Sequence, residues 1–153
     1  MNIFAGLIAL LIAAAAPKVF AEPQQTPTPQ QSSVRVVSSA AYAKATGGAT
    51  LIDVREPTEW SDTGMPADAH GVPISGPDFI KRVLAEVGGD KSKPVAVICK
   101  SGTRSTRAAA QLAAAGFTNV TNVGDGMAGN PNVGQGWIGS NLPLKSYRPA
   151  NAN

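Results

Sequence analysis

Cys99 is the single cysteine in a chain of 153 residues, and His70 is the single histidine. Nucleophile and base chemistry rest most often on these two types. Cys99 ends the apolar run Val95, Ala96, Val97 and Ile98, which is short and β-branched enough to be a buried strand. A small polar loop follows: Lys100, Ser101, Gly102 and Thr103. Arg104 then opens an alanine-rich segment, 104–115, that reads as a helix ended by Gly116. A helix start leaves about four N–H groups without partners and carries roughly half a positive charge. Gly102 permits positive φ, so the loop can curl its own amides toward the same point. Lys100, Arg104 and Arg107 add side-chain charge. A sulfur at position 99 therefore sits in a field that favours anions. Its thiol is expected to ionise below the free value of about 8.5. The competing reading of a lone cysteine is a small hydrophobe ending a core strand. The basic, glycine-containing loop set directly before a helix favours the reactive one.

The remaining elements must bring other groups to that point. Residues 34–37 read as a first strand. Ser38 or Ser39 caps a short helix, 40–45, that stops at Gly47 and Gly48. Residues 50–54 form a second strand with Asp53 and Arg55 at its carboxyl end. In a parallel sheet that is also the edge of Cys99, and the edge where sites are expected. Pro57 to Trp60 begins a helical turn, and 62–73 reads as loop. Phe79, Ile80, Val83, Leu84 and Val87 make one apolar stripe on a helix over 77–87. Val120–Val123 is the last strand. The alternation of strand and helix predicts an α/β fold, a central, mainly parallel sheet flanked by helices on both faces.

Three segments together carry a resemblance. CKSGTRS at 99–105 resembles the active-site loop of the rhodanese-like sulfurtransferases, roughly Cys-x-x-Gly-x-Arg/Ser. LIDVREPTEW at 51–60 is similar to that family's LIDVRxxxEW/Y stretch. NVGDGMAG at 122–129 is similar to its L-x-GG-M/F-x-x-W segment. Order and spacing fit one rhodanese-like domain over 34–145. The resemblance implies a double displacement, in which Cys99 takes the outer sulfur of a donor such as thiosulfate and passes it to a thiophilic acceptor. It implies that Lys100, Ser101, Gly102, Thr103 and Arg104 form the substrate loop. Lys100 would draw in the anionic donor, and Arg104 would hold the loop or bind the donor's oxygens. Asp53 and Arg55 would brace the loop by hydrogen bonds or an ion pair. The family's usual His after Gly is Met65 here. His70 reads as a structural or surface residue, since a preformed thiolate needs no base.

Cysteine-dependent phosphatases use the same physics with a longer loop, Cys-x5-Arg. Here four residues separate Cys99 from Arg104, and a phosphatase arginine would fall at Ser105. A tighter ring suits a persulfide sulfur and crowds a phosphoryl group. A phosphatase or arsenate reductase is thus the weaker alternative. A sulfur-carrier module serving a partner protein is the other, motivated by the tether at 22–33 and by the unusual stretch 124–139. That stretch reads as a lid or a loose loop, with Trp137 in core or rim packing.

Composition bounds the rest. The net charge of +3 and the lack of a basic run speak against nucleic acid. One Cys and one His make a poor zinc set, so no metal is expected, and no organic cofactor. The expected partners are a small anionic sulfur donor and a thiol, cyanide or protein acceptor, with the chain a monomer. Residues 1–21 read as a secretory signal, with an apolar run and a small-x-Ala ending at Ala21. No Lys or Arg precedes the run, so an uncleaved anchor is the alternative. Export to a periplasm follows from that reading. Residues 22–33 read as a Pro/Gln-rich flexible linker and 146–153 as a frayed tail.

Overall fold

The computed structural model describes residues 33–45 and 47–149. The stretch expected to be a signal and most of the expected linker lie outside the described residues. No helix among the described residues is long and apolar enough to cross a membrane.

Five strands make one sheet, all neighbours parallel: β1 (Arg35–Val37), β6 (Val120–Val123), β5 (Val95–Ile98), β2 (Thr50–Asp53) and β4 (His70–Gly71), in that spatial order. The two central strands are buried along their whole length or nearly so. That matches the unbroken apolar run of β5 and the Leu51–Ile52 pair of β2, since a parallel sheet is covered on both faces. Thr50 pairs with Val95 and Asp53 with Ile98, so the carboxyl ends of β2 and β5 are level. Asp53, Arg55 and Cys99 accordingly emerge at one edge.

Helices cover both faces. α3 (Phe79–Glu86) and α4 (Thr103–Ala114) pack on Ile52, Val97 and Val120 through Val83, Leu112 and neighbouring Phe117. Across the sheet, Leu51, Ala96, Ile98 and Val123 pack on Trp60, Met127 and Trp137. Trp60 belongs to α2 (Pro57–Thr63), and Trp137 to α5 (Gly136–Gly139) beside α1 (Ser39–Lys44). Ser38 caps α1, its hydroxyl accepting the Ala41 amide at 3.2 Å.

Three expectations change. The stretch 62–73 is not all loop: α2 runs on to Thr63, and β3 (Met65–Pro66) and β4 follow. β3 pairs antiparallel with β7 (Leu144–Lys145) in a separate two-stranded sheet. Tyr147, expected in a frayed tail, packs edge-on against Trp60 with ring centroids 5.1 Å apart. The stretch 124–139 is neither a lid nor loose. Asp125 is fully buried, and its carboxylate accepts from the Ser39 amide and hydroxyl, both at 2.7 Å, and from the Gly136 amide at 3.0 Å. One buried acidic side chain thus ties α1, the 124–139 stretch and α5 together.

Candidate active site

Cys99 follows β5 directly, and its side chain is 1% exposed. The loop that turns over it has three residues rather than four. Gly102 is the N-cap of α4, with φ +98° and ψ −27°, and Thr103 is the first helical residue. The glycine is required twice. The backbone is left-handed there, and a Cβ would be driven into the Gly124 carbonyl. Thr103 is exposed on the helix, which corrects its placement in the loop.

The Gly102 amide donates to Cys99 Sγ at 3.2 Å. The thiol donates to Ser105 Oγ at 3.4 Å, and that hydroxyl donates to the Gly102 carbonyl at 3.0 Å. Of the amides expected to ring the sulfur, Gly102's is the one that reaches Sγ. The Lys100 and Ser101 amides have no backbone acceptor among the described residues, and the first turn of α4 leaves further donors unpaired. Lys100 and Ser101 are exposed.

A second backbone segment holds the loop from behind. Met127 N donates to the Cys99 carbonyl and Ala128 N to the Lys100 carbonyl, each at 2.8 Å. Asn130 Nδ2 donates to the Ser101 carbonyl at 3.1 Å. The loop's carbonyls are thereby held by partners on the 127–130 segment. The approach is so close that a Cβ at Gly126, where φ is +64°, would stand 2.6 Å from the Cys99 carbonyl oxygen.

Asp53 and Arg55 form a buried pair, 0% and 2% exposed, with Arg55 Nη2 2.7 Å from Asp53 Oδ2. Arg55 also donates to Thr63 Oγ1 and to the Gly64 carbonyl, both at 2.8 Å. Its partners lie in β2 and at the end of α2, not in the cysteine loop. The expected brace is therefore indirect: the pair fixes α2, and α2 reaches the loop through Glu59. Arg104 makes a two-pronged ion pair with Glu59, at 2.5 Å and 2.7 Å. Hydrogen bonding from Arg104 holds the Glu59 carboxyl down at about 2, against an ordinary 4.5. Hydrogen bonding to Glu59 likewise raises Arg104 above its ordinary value. Of the two roles expected for Arg104, the geometry shows a tie between α4 and α2. Its guanidinium is paired with the Glu59 carboxylate and lies close enough to Cys99 for the sulfur's charge to bear on it.

The sequence reading missed Glu59, Ser105, Asp125 and Asn130 as parts of this assembly. Glu59 carried a signal, a carboxylate within the first turn of a helix beside the sheet edge. Ser105 had only the next position to Arg104. His70 is 53% exposed on β4 and pairs through Nδ1 with Glu86 at 2.7 Å, a surface contact. Among the described residues no cluster of His, Cys, Asp or Glu could hold a metal ion. Two cavities of about 510 and 560 Å³ lie elsewhere. One is bounded by Trp60, His70 and Tyr147. The other lies at the amino ends of the strands, near Ala49, Pro94 and Asn119. Neither includes a residue of the cysteine loop.

The model of the rhodanese-like domain family matches residues 38–129. The chain belongs to the rhodanese-like family. Thiosulfate sulfurtransferase GlpE of Pseudomonas syringae pv. syringae is 35% identical over 92 residues, which cover 60% of this chain and 81% of that protein. The chloroplastic thiosulfate sulfurtransferase 16 of Arabidopsis thaliana is 32% identical over 108 residues, covering 65% and 82%. Among solved structures, the polysulfide-sulfur transferase homodimer of Wolinella succinogenes matches with a TM-score of 0.57 at 27% identity, over 78% of this chain and 83% of that one. A rhodanese-like domain from Anabaena shares the fold, with a TM-score of 0.54 at 23% identity, over 69% and 100%. The match ends at Gly129, so the hydrogen bond from Asn130 to the loop lies just beyond it.

Proposed function

We propose that this chain is a sulfurtransferase in which Cys99 carries sulfane sulfur from a small anionic donor, thiosulfate or a similar compound, to a thiophilic acceptor. The observation that carries the reading is the seat of Cys99. It stands at the carboxyl edge of a parallel sheet, under a loop whose amides are unpaired or aimed at the sulfur. In the first step the thiolate attacks the outer sulfur of thiosulfate. The bond between the two donor sulfurs breaks, sulfite leaves with its electron pair, and Cys99 holds a persulfide. The negative end of that persulfide is stabilised by backbone N–H groups, which cost no reorganisation. In the second step the acceptor attacks the terminal sulfur, and the thiolate is restored. Arg104 is neutralised by Glu59, so Lys100 is the loop cation left to draw in the donor. The relatives named as thiosulfate sulfurtransferases support the same reaction class.

The test weighs the purified protein by intact mass spectrometry after exposure to thiosulfate. The expected result is a gain of one sulfur atom that is absent in Cys99→Ser, and thiocyanate on addition of cyanide. An unchanged mass together with no thiocyanate rejects the reading.

The exposed Lys100 and Ser101 over the sulfur motivate a second version of it, a carrier whose acceptor is a protein docking at the loop. That version predicts a persulfide that forms readily but turns over slowly with small acceptors. Fast turnover with cyanide or a small thiol removes it. The expected setting is export as a monomer. N-terminal sequencing of secreted protein starting at Glu22, and sedimentation at the mass of one chain, check those two points.

A further inference from the structure

Ser105 is fully buried, so its hydroxyl has no water to turn to. Two acceptors are within its reach, Cys99 Sγ at 3.4 Å and the Gly102 carbonyl at 3.0 Å. The Gly102 carbonyl is over-supplied. It also accepts the Thr106 amide at 2.9 Å and the Thr106 hydroxyl at 2.8 Å. Three donors thus converge on an oxygen with two lone pairs, and Ser105's contact is the longest. Thr106 is fixed in place, because its hydroxyl oxygen accepts Asn122 Nδ2 at 2.9 Å. The carbonyl therefore stays satisfied when Ser105 leaves it.

We infer that Ser105 is a positioning residue whose hydroxyl changes partner with the charge on Cys99, accepting from the thiol and donating to the thiolate. The inference rests on the sulfurtransferase reading, in which the thiolate is the attacking form. In the thiolate, Sγ is an acceptor only, and the Gly102 amide is its one donor. A rotation about the Cβ–Oγ bond then aims the Ser105 hydrogen at Sγ. The charged acceptor makes the stronger hydrogen bond. With the Gly102 amide, the anion then has two fixed donors. The same hydroxyl returns to the carbonyl on reprotonation, so neither state leaves a buried polar group unmatched.

The experiment measures alkylation of Cys99 by iodoacetamide across about pH 5 to pH 9, because the thiolate is the species that reacts. The variants are Ser105→Ala, Ser105→Thr and Thr106→Val, with folding followed by circular dichroism. The expected result for Ser105→Ala is alkylation about tenfold slower near neutrality, with the profile moved to higher pH, as loss of a hydrogen bond to the charged form requires. Ser105→Thr recovers most of the rate. Thr106→Val removes the surplus donor, holds Ser105 on the carbonyl and slows alkylation by about threefold. A folded Ser105→Ala with the wild-type profile overturns the inference. If that variant fails to fold, a wild-type profile in Thr106→Val overturns it instead. No sulfur donor is present in the measurement. A wild type that never forms a persulfide would sink the sulfurtransferase reading without altering these profiles.

Discussion

Arg104 and Glu59 decide which cation beside the cysteine is already paired. A two-pronged guanidinium–carboxylate pair fixes both direction and distance, and this one joins the first turn of α4 to the first turn of α2. Glu59 also accepts the Glu56 amide at 3.1 Å, closing the capping box of its helix. Both side chains are between a quarter and a third exposed, so solvent screens the pair, and its worth is about 1 kcal/mol. The sign of its pH dependence follows from the depressed carboxyl. Glu59 ionises at about 2 in the fold against an ordinary 4.5. Its stabilising share is therefore complete above about pH 4.5 and is lost as the pH falls toward about 2. Glu59→Gln is expected to melt lower than wild type at neutral pH, by about 1 kcal/mol. The gap should close through that acid window, and thermal melts at stepped pH read it directly. A gap that persists unchanged at about pH 2 would mean that packing, not charge, is what Glu59 supplies.

The elements reach the site by two routes. The first is the buried Asp53–Arg55 pair, which joins the end of β2 to the end of α2. The second is the docking of 124–130 against the back of the cysteine loop. Asp53 and Arg55 were readable as site residues because a parallel sheet collects its strand ends at one edge. Their partners were not readable, since pairing within β2 and pairing to the loop look alike in sequence. The glycine-rich stretch misled for a related reason. Its glycines resemble those of a loose connection, yet at Gly126 the glycine is demanded by positive φ and by a backbone 2.6 Å from where its Cβ would be. Gly126→Ala is thus expected to push the segment off the loop and destabilise the domain by more than about 2 kcal/mol. Sulfur uptake from thiosulfate should fall more than tenfold in whatever folds, because the loop carbonyls lose the groups that hold them. Urea unfolding and intact mass measure the two effects. A variant with wild-type stability would show that the segment yields without cost.

At the scale of the molecule, what was legible came from periodicity and what was hidden came from long-range pairing. Buried strands, the apolar stripe of α3 and the glycine stop after α4 are local patterns, and they place Cys99 correctly at the sheet edge. Contacts such as Arg104 to Glu59, 45 positions apart, and Asn130 to Ser101, 29 apart, have no local signature. They also redistribute charge. The chain carries a net charge of only +3, too little to steer anions over its whole surface. Among the loop cations Arg104 is neutralised, and Lys100 is exposed with no ion-pair partner among the described residues. Two cations around the cysteine are then left without an ion-pair partner among the described residues, Lys100 in the loop and exposed Arg107 on α4, and Lys100 is the one within the loop itself. Lys100→Ala is expected to raise KM for thiosulfate about fivefold at low salt, with kcat changed less than about twofold, since the ammonium acts on approach and not on bond breaking. The screening length falls from about 10 Å at 0.1 M to about 3 Å at 1 M salt, so the difference between variant and wild type should shrink over that range. Steady-state thiocyanate formation at several salt concentrations checks it. A KM difference that ignores salt would mean that Lys100 works through contact or loop shape and not through its charge.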